Sequence, residues 1–404
     1  MSSSKTISTK TVLLMAIITG VIVANLNFIQ PIEGLIATDF HLSKAIVGVL
    51  AMLTQLGYAF GLLLIVPLGD IFDRYHLIQF MMVLSIGALL VAFIAPNAMV
   101  FAVATTLIGI TSVAPQIIIP YAGALAPAMQ RGKVLGTVLS GLLTGILLSR
   151  SFSGLLGSVM PWQDIYLIAA LLDVVMLVIA HVYMPKDPRG HQQLSYGHVL
   201  KSLPRLFITQ RRLRGSSLNG FCMFGVSNVM WSTLAFYLAD QYHLGSNVAG
   251  LLGLLGIAGV LAAPYIGNLV DHRSPRLTIG LSIWFSSLAF GLFWLIGQWL
   301  VGLIIGIVLL DLGTQFSQVS NQAIVQSLNR QESSRNNSVF MFSYFLGGSI
   351  GTMSATWAWS IAGWNGVCLV AVAFLLISLA GHLILKEPLQ LVAQRIKRLL
   401  TRSR

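Results

Sequence analysis

The sequence predicts an all-α integral membrane protein, with twelve transmembrane helices in two pseudo-symmetric six-helix bundles. Three observations lead there: the composition, the spacing of the apolar runs, and a loop motif that recurs at half the chain length. Of 404 residues, 56% are hydrophobic and only 9% are charged, and mean hydropathy is +0.84. A water-soluble globule does not have that balance. A spanning helix needs roughly 20 apolar residues, so twelve take about 240 and leave short loops.

The apolar runs fall at 11–37, 45–68, 76–95, 99–122, 134–160, 164–184, 216–239, 247–269, 276–297, 299–322, 337–360 and 364–385. The first is too long for a secretory signal. It is also interrupted by Asn25, Asn27, Gln30 and Pro31 and lacks a small-residue cleavage site, so it stands as span 1. The long connection after span 6 divides the chain into a bundle at 1–185, a linker at 186–215, a second bundle at 216–385 and a basic tail at 386–404. Val199, Leu203, Leu206 and Phe207 give part of the linker one apolar face, as expected of a helix lying along the headgroups.

The net charge of +12 does not imply nucleic acid, because the basic residues are spread through short loops with no folded soluble region to gather them. Membrane lipids are the expected partner. Twelve spans put both ends of the chain on one side, and nearly every Lys and Arg lies there: Lys5, Lys10, Arg74, Arg131, Lys133, the run from Lys186 to Arg214, Arg273, Arg276, Arg330, Arg335 and the tail. Lys44 alone lies in an opposite loop, and Arg150 lies inside a span. Basic residues crowd the cytoplasmic side, so both termini are expected in the cytoplasm. Cys222 and Cys368 fall inside predicted spans, which argues against a disulfide framework or a metal site; no cofactor is expected.

An ionisable group within a span costs several kcal/mol unless it faces a wet cavity or a partner. Asp311 begins a polar stripe with Gln315, Gln318 and Gln322, whose steps of four, three and four place them on one helical face. Span 1 carries Asn25, Gln30 and Glu33 around Pro31, whose ring frees a backbone carbonyl. Arg150 is too deep to reach the headgroups and needs a counter-charge, for which Glu33 and Asp311 are the candidates. Gln116 in span 4, between Pro115 and Pro120, and Asn228 with Trp231 in span 7 complete the candidate lining. The glycines of span 5 (Gly141, Gly145, Gly154, Gly157) and span 8 (Gly250, Gly253, Gly256, Gly259) read as close helix packing.

The recurring loop is Pro67 to Ile78, P-L-G-D-I-F-D-R-Y-H-L-I, and its weaker copy is Pro264 to Arg276, P-Y-I-G-N-L-V-D-H-R-S-P-R. The first, with Gly69, Asp70, Asp73 and Arg74, resembles the signature between helices 2 and 3 of the major facilitator superfamily; Gly267 and Asp271 hold the matching places in the second. The start of span 1, A-N-L-N-F-I-Q-P, resembles bacterial efflux-type members, and the block from Asp311 to Gly351 resembles a subgroup commonly placed with sugar and drug efflux permeases.

The resemblance implies a monomeric bacterial inner-membrane permease, not an enzyme, with helices 1, 4, 7 and 10 around a central cavity and two halves that alternate access. The activity it implies is export of a small organic compound, a drug, sugar or metabolite, in exchange for protons. The alternative is a proton-coupled importer or an uncoupled facilitator of a nutrient. Asp311 is the first expected proton carrier and Glu33 the second, with Arg150 as the charge that drives release. Asp70 is expected to latch the loop to the N-terminus of helix 11 near Ser333 to Asn337, where unpaired N–H groups favour an anion.

Overall fold

The structure is a computed structural model that describes residues 8–126, 131–186, 196–272, 274–328 and 332–384. In hydrocarbon a backbone N–H or C=O must be satisfied within its own segment, which selects helices. Among the described residues every regular element is an α-helix or a 3₁₀ turn. The α-helices are α1 (Thr9–Ala24), α2 (Ile29–Asp39), α3 (Lys44–Leu64), α4 (Arg74–Phe93), α5 (Ala98–Thr111), α6 (Ala114–Leu125), α7 (Arg131–Leu156), α8 (Trp162–Tyr183), α9 (Tyr196–Thr209), α10 (Arg211–Tyr242), α11 (Ser246–Gly253), α12 (Ile257–His272), α13 (Pro275–Ile296), α14 (Leu300–Ser327) and α15 (Ser333–Ile384).

Ten helical stretches of the described residues are long and apolar enough to cross a membrane, and a further apolar helix, Asn247–Ala263, is shorter. The 52 residues of α15 would extend about 78 Å if straight, far beyond the ~30 Å hydrocarbon core. They do not run straight. Gly363 has φ +56° and ψ −144°, and a Cβ added to Gly366 would lie 2.6 Å from the Ala358 carbonyl oxygen, so the chain doubles back there. That turn falls in the gap expected between spans 11 and 12.

Three expected spans are interrupted. Span 1 divides at Asn25–Phe28, where the bonds from Asn25, Leu26 and Asn27 run back only three residues, to Ile22, Val23 and Ala24. Pro31 was expected inside a continuous helix; it falls in the first turn of α2, where its missing N–H costs little. Span 4 divides at Ser112–Val113, which places Pro115 at the start of α6 and leaves Pro120 inside it. Span 8 tightens into a 3₁₀ turn at Leu254–Gly256. At the other boundary, α10 begins at Arg211, so the last five residues of the expected linker, 211–215, are helical.

Burial divides along the halves of the chain. One apolar core uses only residues from Ala24 to Ala170 and another only residues from Cys222 to Leu375. A third joins Val12, Tyr58 and Tyr121 to Val325, Phe340 and Tyr344. The linker helix α9 is seated on this third core through Leu203 and Leu206, while Phe207 stays exposed. Its Tyr196 hydroxyl donates to the Leu64 carbonyl at 2.7 Å.

The first loop motif forms a 3₁₀ turn at Val66–Asp70 followed by the start of α4. Asp73 caps α4, accepting from Tyr75 N at 2.9 Å, with His76 Nδ1 at 2.6 Å from its other oxygen. Arg74 Nε donates to the Gly69 carbonyl at 2.7 Å, which folds the motif on itself. The 3₁₀ turn packs on α15. The side chains of Asp70 and Asp271 and the tail at 386–404 lie outside the described residues, and a side chain at Gly267 would meet open space.

Candidate functional site

The residues that meet between the halves are drawn from α2, α7, α10 and α14. Helix α7 carries Arg150 inward because its glycines let it lie directly on α1. A Cβ at Gly20 would sit 2.6 Å from the Gly141 carbonyl oxygen, and Cβ atoms at Gly141 or Gly145 would collide with the backbone of Ala16 or Gly20. On its other side α7 meets α11, where Ser151 Oγ donates to the Gly250 carbonyl at 2.7 Å.

Arg150 is held from both halves. Its Nε donates to Gln30 Oε1 at 3.0 Å, and its guanidinium carbon lies 4.0 Å from the centre of the Trp231 ring. A planar cation on an indole face is a favourable contact, more so when dry. Gln30 Nε2 in turn donates to Asn228 Oδ1 at 3.3 Å, and Asn228 Nδ2 donates to the Phe224 carbonyl at 2.9 Å. A chain of polar contacts therefore crosses the junction from α7 through α2 to α10.

Asp311 faces this assembly from α14. It lies within electrostatic reach of Arg150 and beside the Trp231 indole. Neither the buried Asp311 Oδ2 nor Trp231 Nε1 has a hydrogen-bond partner. The carboxylate is thus near its counter-charge without an ion pair closing it off, and it keeps an open acceptor position. The glycines of α11, the 3₁₀ turn after it and α12 make room: a Cβ at Gly253 would lie 2.9 Å from Arg150 Cβ, one at Gly256 3.1 Å from Asp311 Oδ2, and one at Gly259 2.9 Å from Gln315 Cγ. Close packing is how those glycines read in sequence; here they also roof the charged pair.

A cavity of about 10 Å³, lined by Gln30, Pro31, Arg150, Trp231, Leu234, Ala235 and Ala249, adjoins the pair. That is about one water molecule. Contacts between the halves close over it on both sides. On the side of the chain's N-terminus lies an aromatic plug: across the junction Tyr58 meets Phe345 with ring centres at 4.5 Å and Phe60 meets Phe342 at 5.8 Å, backed within the second half by Phe224 stacked on Tyr344 at 4.1 Å. On the opposite face Lys44 Nζ lies 2.8 Å from Asp240 Oδ2, above the rings of Phe236 and Trp359.

The structure brings Asp311, Arg150, Gln30, Asn228, Trp231 and Gln315 together, and sends other expected members elsewhere. Glu33 is fully buried with both carboxylate oxygens unpartnered, within electrostatic reach of Tyr166. Asn25 bonds within the first half, to Asp173 and Ser85. Gln116 lies against the Tyr58 hydroxyl. Gln322, about 16 Å along α14 from Asp311, donates to Asn337 Oδ1 at 2.9 Å; Gln318 stays half-buried between these two groups. The adjacent face of α14 forms a structural seam, in which Ser317 Oγ and Asn321 Nδ2 donate to Asn219 Oδ1 at 2.8 and 2.6 Å.

Sequence reasoning passed over Tyr58, Tyr344 and the pairing of Lys44 with Asp240. The last had a signal, since Lys44 is the lone basic residue expected on its side and Asp240 ends a span there.

A helical protein with membrane-length segments and a polar junction closed from both faces is of the class of membrane transporters. The chain belongs to the Major Facilitator Superfamily: the model of that family matches residues 12–279 and 216–401. It is 35% identical over 369 residues to "Uncharacterized transporter YgaY" of Escherichia coli O157:H7, covering 91% of this chain and 93% of that one. It is 23% identical to "Uncharacterized MFS-type transporter YybF" of Bacillus subtilis, covering 89% and 90%. Among solved structures, a POT family transporter in complex with a thioalcohol-conjugated peptide matches with TM-score 0.78 at 11% identity, covering 92% and 94%. A bacterial homologue of the lysosomal transporter Spinster, inward-facing and unoccupied, matches with TM-score 0.74 at 14% identity, covering 93% and 96%. At such identities the structural matches speak for the fold alone.

Proposed function

We propose that the chain is a secondary active transporter of the bacterial inner membrane that exports a small organic compound in exchange for protons. Counting α15 as two crossings at Gly363 and Asn247–Ala263 as one gives twelve, with six in each half and both termini in the cytoplasm. In this reading the halves rock about the junction, and the contacts on both faces support taking the structure as an occluded step of that cycle.

One observation carries the reading: a buried acid, Asp311, sits beside Arg150 without pairing to it, at the place where the halves meet. A carboxylate in a dry cavity takes a proton more readily than in water, and an approaching guanidinium expels it. Arg150 is tethered to Gln30 on one half and stacked on Trp231 of the other, so relative motion of the halves changes its distance to Asp311. Trp231 offers a flat apolar surface and Gln30 and Asn228 offer hydrogen bonds, which suits a cargo with both characters.

The test is counterflow and proton-driven flux in proteoliposomes. In Asp311→Asn, export against a gradient should fall to background while exchange of cargo across the membrane persists. Undiminished accumulation by that variant would sink the coupling role, and flux independent of an imposed proton gradient in the wild type would favour an uncoupled facilitator.

A further inference from the structure

A second carboxylate lies deep in the first half, away from the junction, with a geometry of its own. Asp173 occupies the middle of α8, on the face of Ala169, Ala170, Met176 and Ala180, all buried, whereas Leu171, Val174, Val175 and Val178 on the other face are exposed. A helix with that distribution turns its apolar side chains to lipid and its acid inward. Asp173 is 0% exposed, and its Oδ2 accepts two neutral donors, Asn25 Nδ2 at 3.0 Å and Ser85 Oγ at 3.0 Å.

Two oxygens in this group are left over. Asp173 Oδ1 and Asn25 Oδ1 are both buried and both lack a partner. Two unpartnered acceptors on residues already joined by an amide N–H···O bond form the outline of a cyclic acid–amide pair that lacks one hydrogen. A proton on Asp173 Oδ1, donated to Asn25 Oδ1, closes the ring and satisfies both oxygens at once.

Among the described residues no cation stands beside Asp173 to do this instead. The titratable groups on the elements packed against α8 stand at its two ends. Lys10 of α1 lies over the Tyr183 ring, and Tyr75 of α4 donates to the His181 carbonyl with Arg74 and His76 beside it in sequence. At the other end Glu33 of α2 faces Tyr166, Asp39 accepts from Trp162 and Gln163, and Asp164 stands in the first turn. From α7, Arg150 is committed to Gln30 and Trp231, and Arg131 and Lys133 open that helix at its far end. Tyr166 and His181 are roughly 10 and 12 Å from Asp173 along α8. A bare carboxylate there would be a buried charge held by neutral donors alone, which is costly in the membrane interior.

We propose that Asp173 and Asn25, with Ser85, form a proton-binding site in the first half, distinct from Asp311, whose occupancy sets the break in span 1. The carboxylate takes one proton from water to become the neutral acid, and releases it to water on the return. Asn25 is the C-cap of α1, and Gln30, five residues on, holds Arg150. Protonation locks Asn25 to α8 and so fixes the turn that positions Gln30; deprotonation opens the ring and frees that turn. The site rests on the geometry of the first half alone and stands whether or not Asp311 is the coupling acid.

Infrared difference spectroscopy of the whole protein in nanodiscs, titrated from mildly acidic to mildly alkaline pH, reads it directly. The wild type should show a protonated-carboxyl C=O band, shifted by deuterium exchange, that is lost in Asp173→Asn and retained in Asp311→Asn. In Asn25→Ala the band should move to higher frequency, because the acid loses its partner. Asp173→Asn keeps size and neutrality; Ser85→Ala, which removes one donor to Oδ2 and keeps the acid, serves as a second folded control and should shift the band without abolishing it. A spectrum unchanged by Asp173→Asn, or a band indifferent to Asn25→Ala, would overturn the site. So would a carboxylate signal that responds to sodium at fixed pH, which would make it a metal-ion site instead.

Discussion

The two halves bring their polar residues to the junction by different means. In the first half the helix that carries Gln30 is interrupted four residues before α2 begins, at Asn25, and its break is stitched with bonds that reach back three residues. In the second half Asn228 and Trp231 stand on α10, unbroken over 32 residues, and Asp311 stands on α14, unbroken over 28. Discontinuous helices are where membrane transporters tolerate irregular backbone, because cavity or protein satisfies the freed groups. The contrast places Gln30 on a discontinuous helix and the second half's acid and indole on continuous ones. Arg150 spans the two.

Removing Arg150 should break the contrast most severely. Arg150→Ala strips Gln30 of its donor and Trp231 of its cation, and it leaves Asp311 without the guanidinium charge that acts on it. Removing one partner of a closed buried ion pair costs about 3–5 kcal/mol; Arg150 and Asp311 are close without closing such a pair, so the loss should fall below that range, with a lower thermal midpoint in detergent and no transport. Arg150→Lys restores charge without the planar fork and should recover stability before transport. A variant Arg150→Ala as stable as wild type would mean that the guanidinium is not the residue holding the halves together.

Gly145→Leu tests how firmly the interrupted helix is clamped. A side chain there collides with the Gly20 backbone, which cannot yield as a flexible side chain does. Overpacking costs about 1–3 kcal/mol even where side chains can adjust, and the upper part of that range is expected here, with poor expression. Gly136→Leu on the same helix, where a Cβ meets nothing within 4 Å, should be tolerated. Equal stability of the two would remove the clamp from the argument.

Much of this was legible in the chain and part was not, for physical reasons. The membrane class followed from composition, and the turn at Gly363 fell where the apolar runs left a gap. The inward placement of Arg150 and Asp311 followed from the cost of a charge in lipid. What periodicity cannot show is which neighbour a buried polar side chain chooses. Glu33 and Asp311 were equal candidates for Arg150, and in the fold Glu33 acts on Tyr166 while Asp311 acts on Arg150. The glutamine stripe was correct as one face of a helix, yet α14 is longer than the junction, so Gln322 serves Asn337 at another depth. The breaks at Asn25–Phe28 and Leu254–Gly256 lack a proline at the break itself and depend on what packs around them.

A milder change probes the second half's own irregularity. Gly256→Ala places a methyl 2.9 Å from Leu147 Cδ1 and 3.1 Å from Asp311 Oδ2, both ends of side chains that can shift by a few tenths of an ångström. Alanine also favours helix over glycine by roughly 0.5–1 kcal/mol, so stability should change by less than about 1 kcal/mol. Transport should fall several-fold because Asp311 is displaced, which flux and melting measured on one preparation would separate. Unchanged flux would mean that the roof over Asp311 has no part in the cycle.

The smallest effect is expected at the face opposite the N-terminus. Lys44 and Asp240 join the halves at 2.8 Å, but their side chains are 35% and 57% exposed. Exposed pairs contribute only about 0.2–1 kcal/mol and weaken with salt, to which the Phe236 and Trp359 rings add about 0.5–1 kcal/mol at an exposed site. Such a latch biases closure without blocking opening, as a working cycle needs. Cys222 and Cys368 are both buried, so a cysteine introduced as Ala249→Cys, which lines the cavity, can report opening by its rate of maleimide labelling. Adding Lys44→Met should raise that rate by a few-fold, since a change near 1 kcal/mol is about a factor of five, and the gain over the parent should shrink at high salt. Asp240→Asn should act less strongly, because Lys44 keeps its two rings. If Lys44→Met leaves the labelling rate unchanged at low salt, closure of this face belongs to the packing of α3 on α15 alone, where the Thr356 side chain already fills the space beside Gly48.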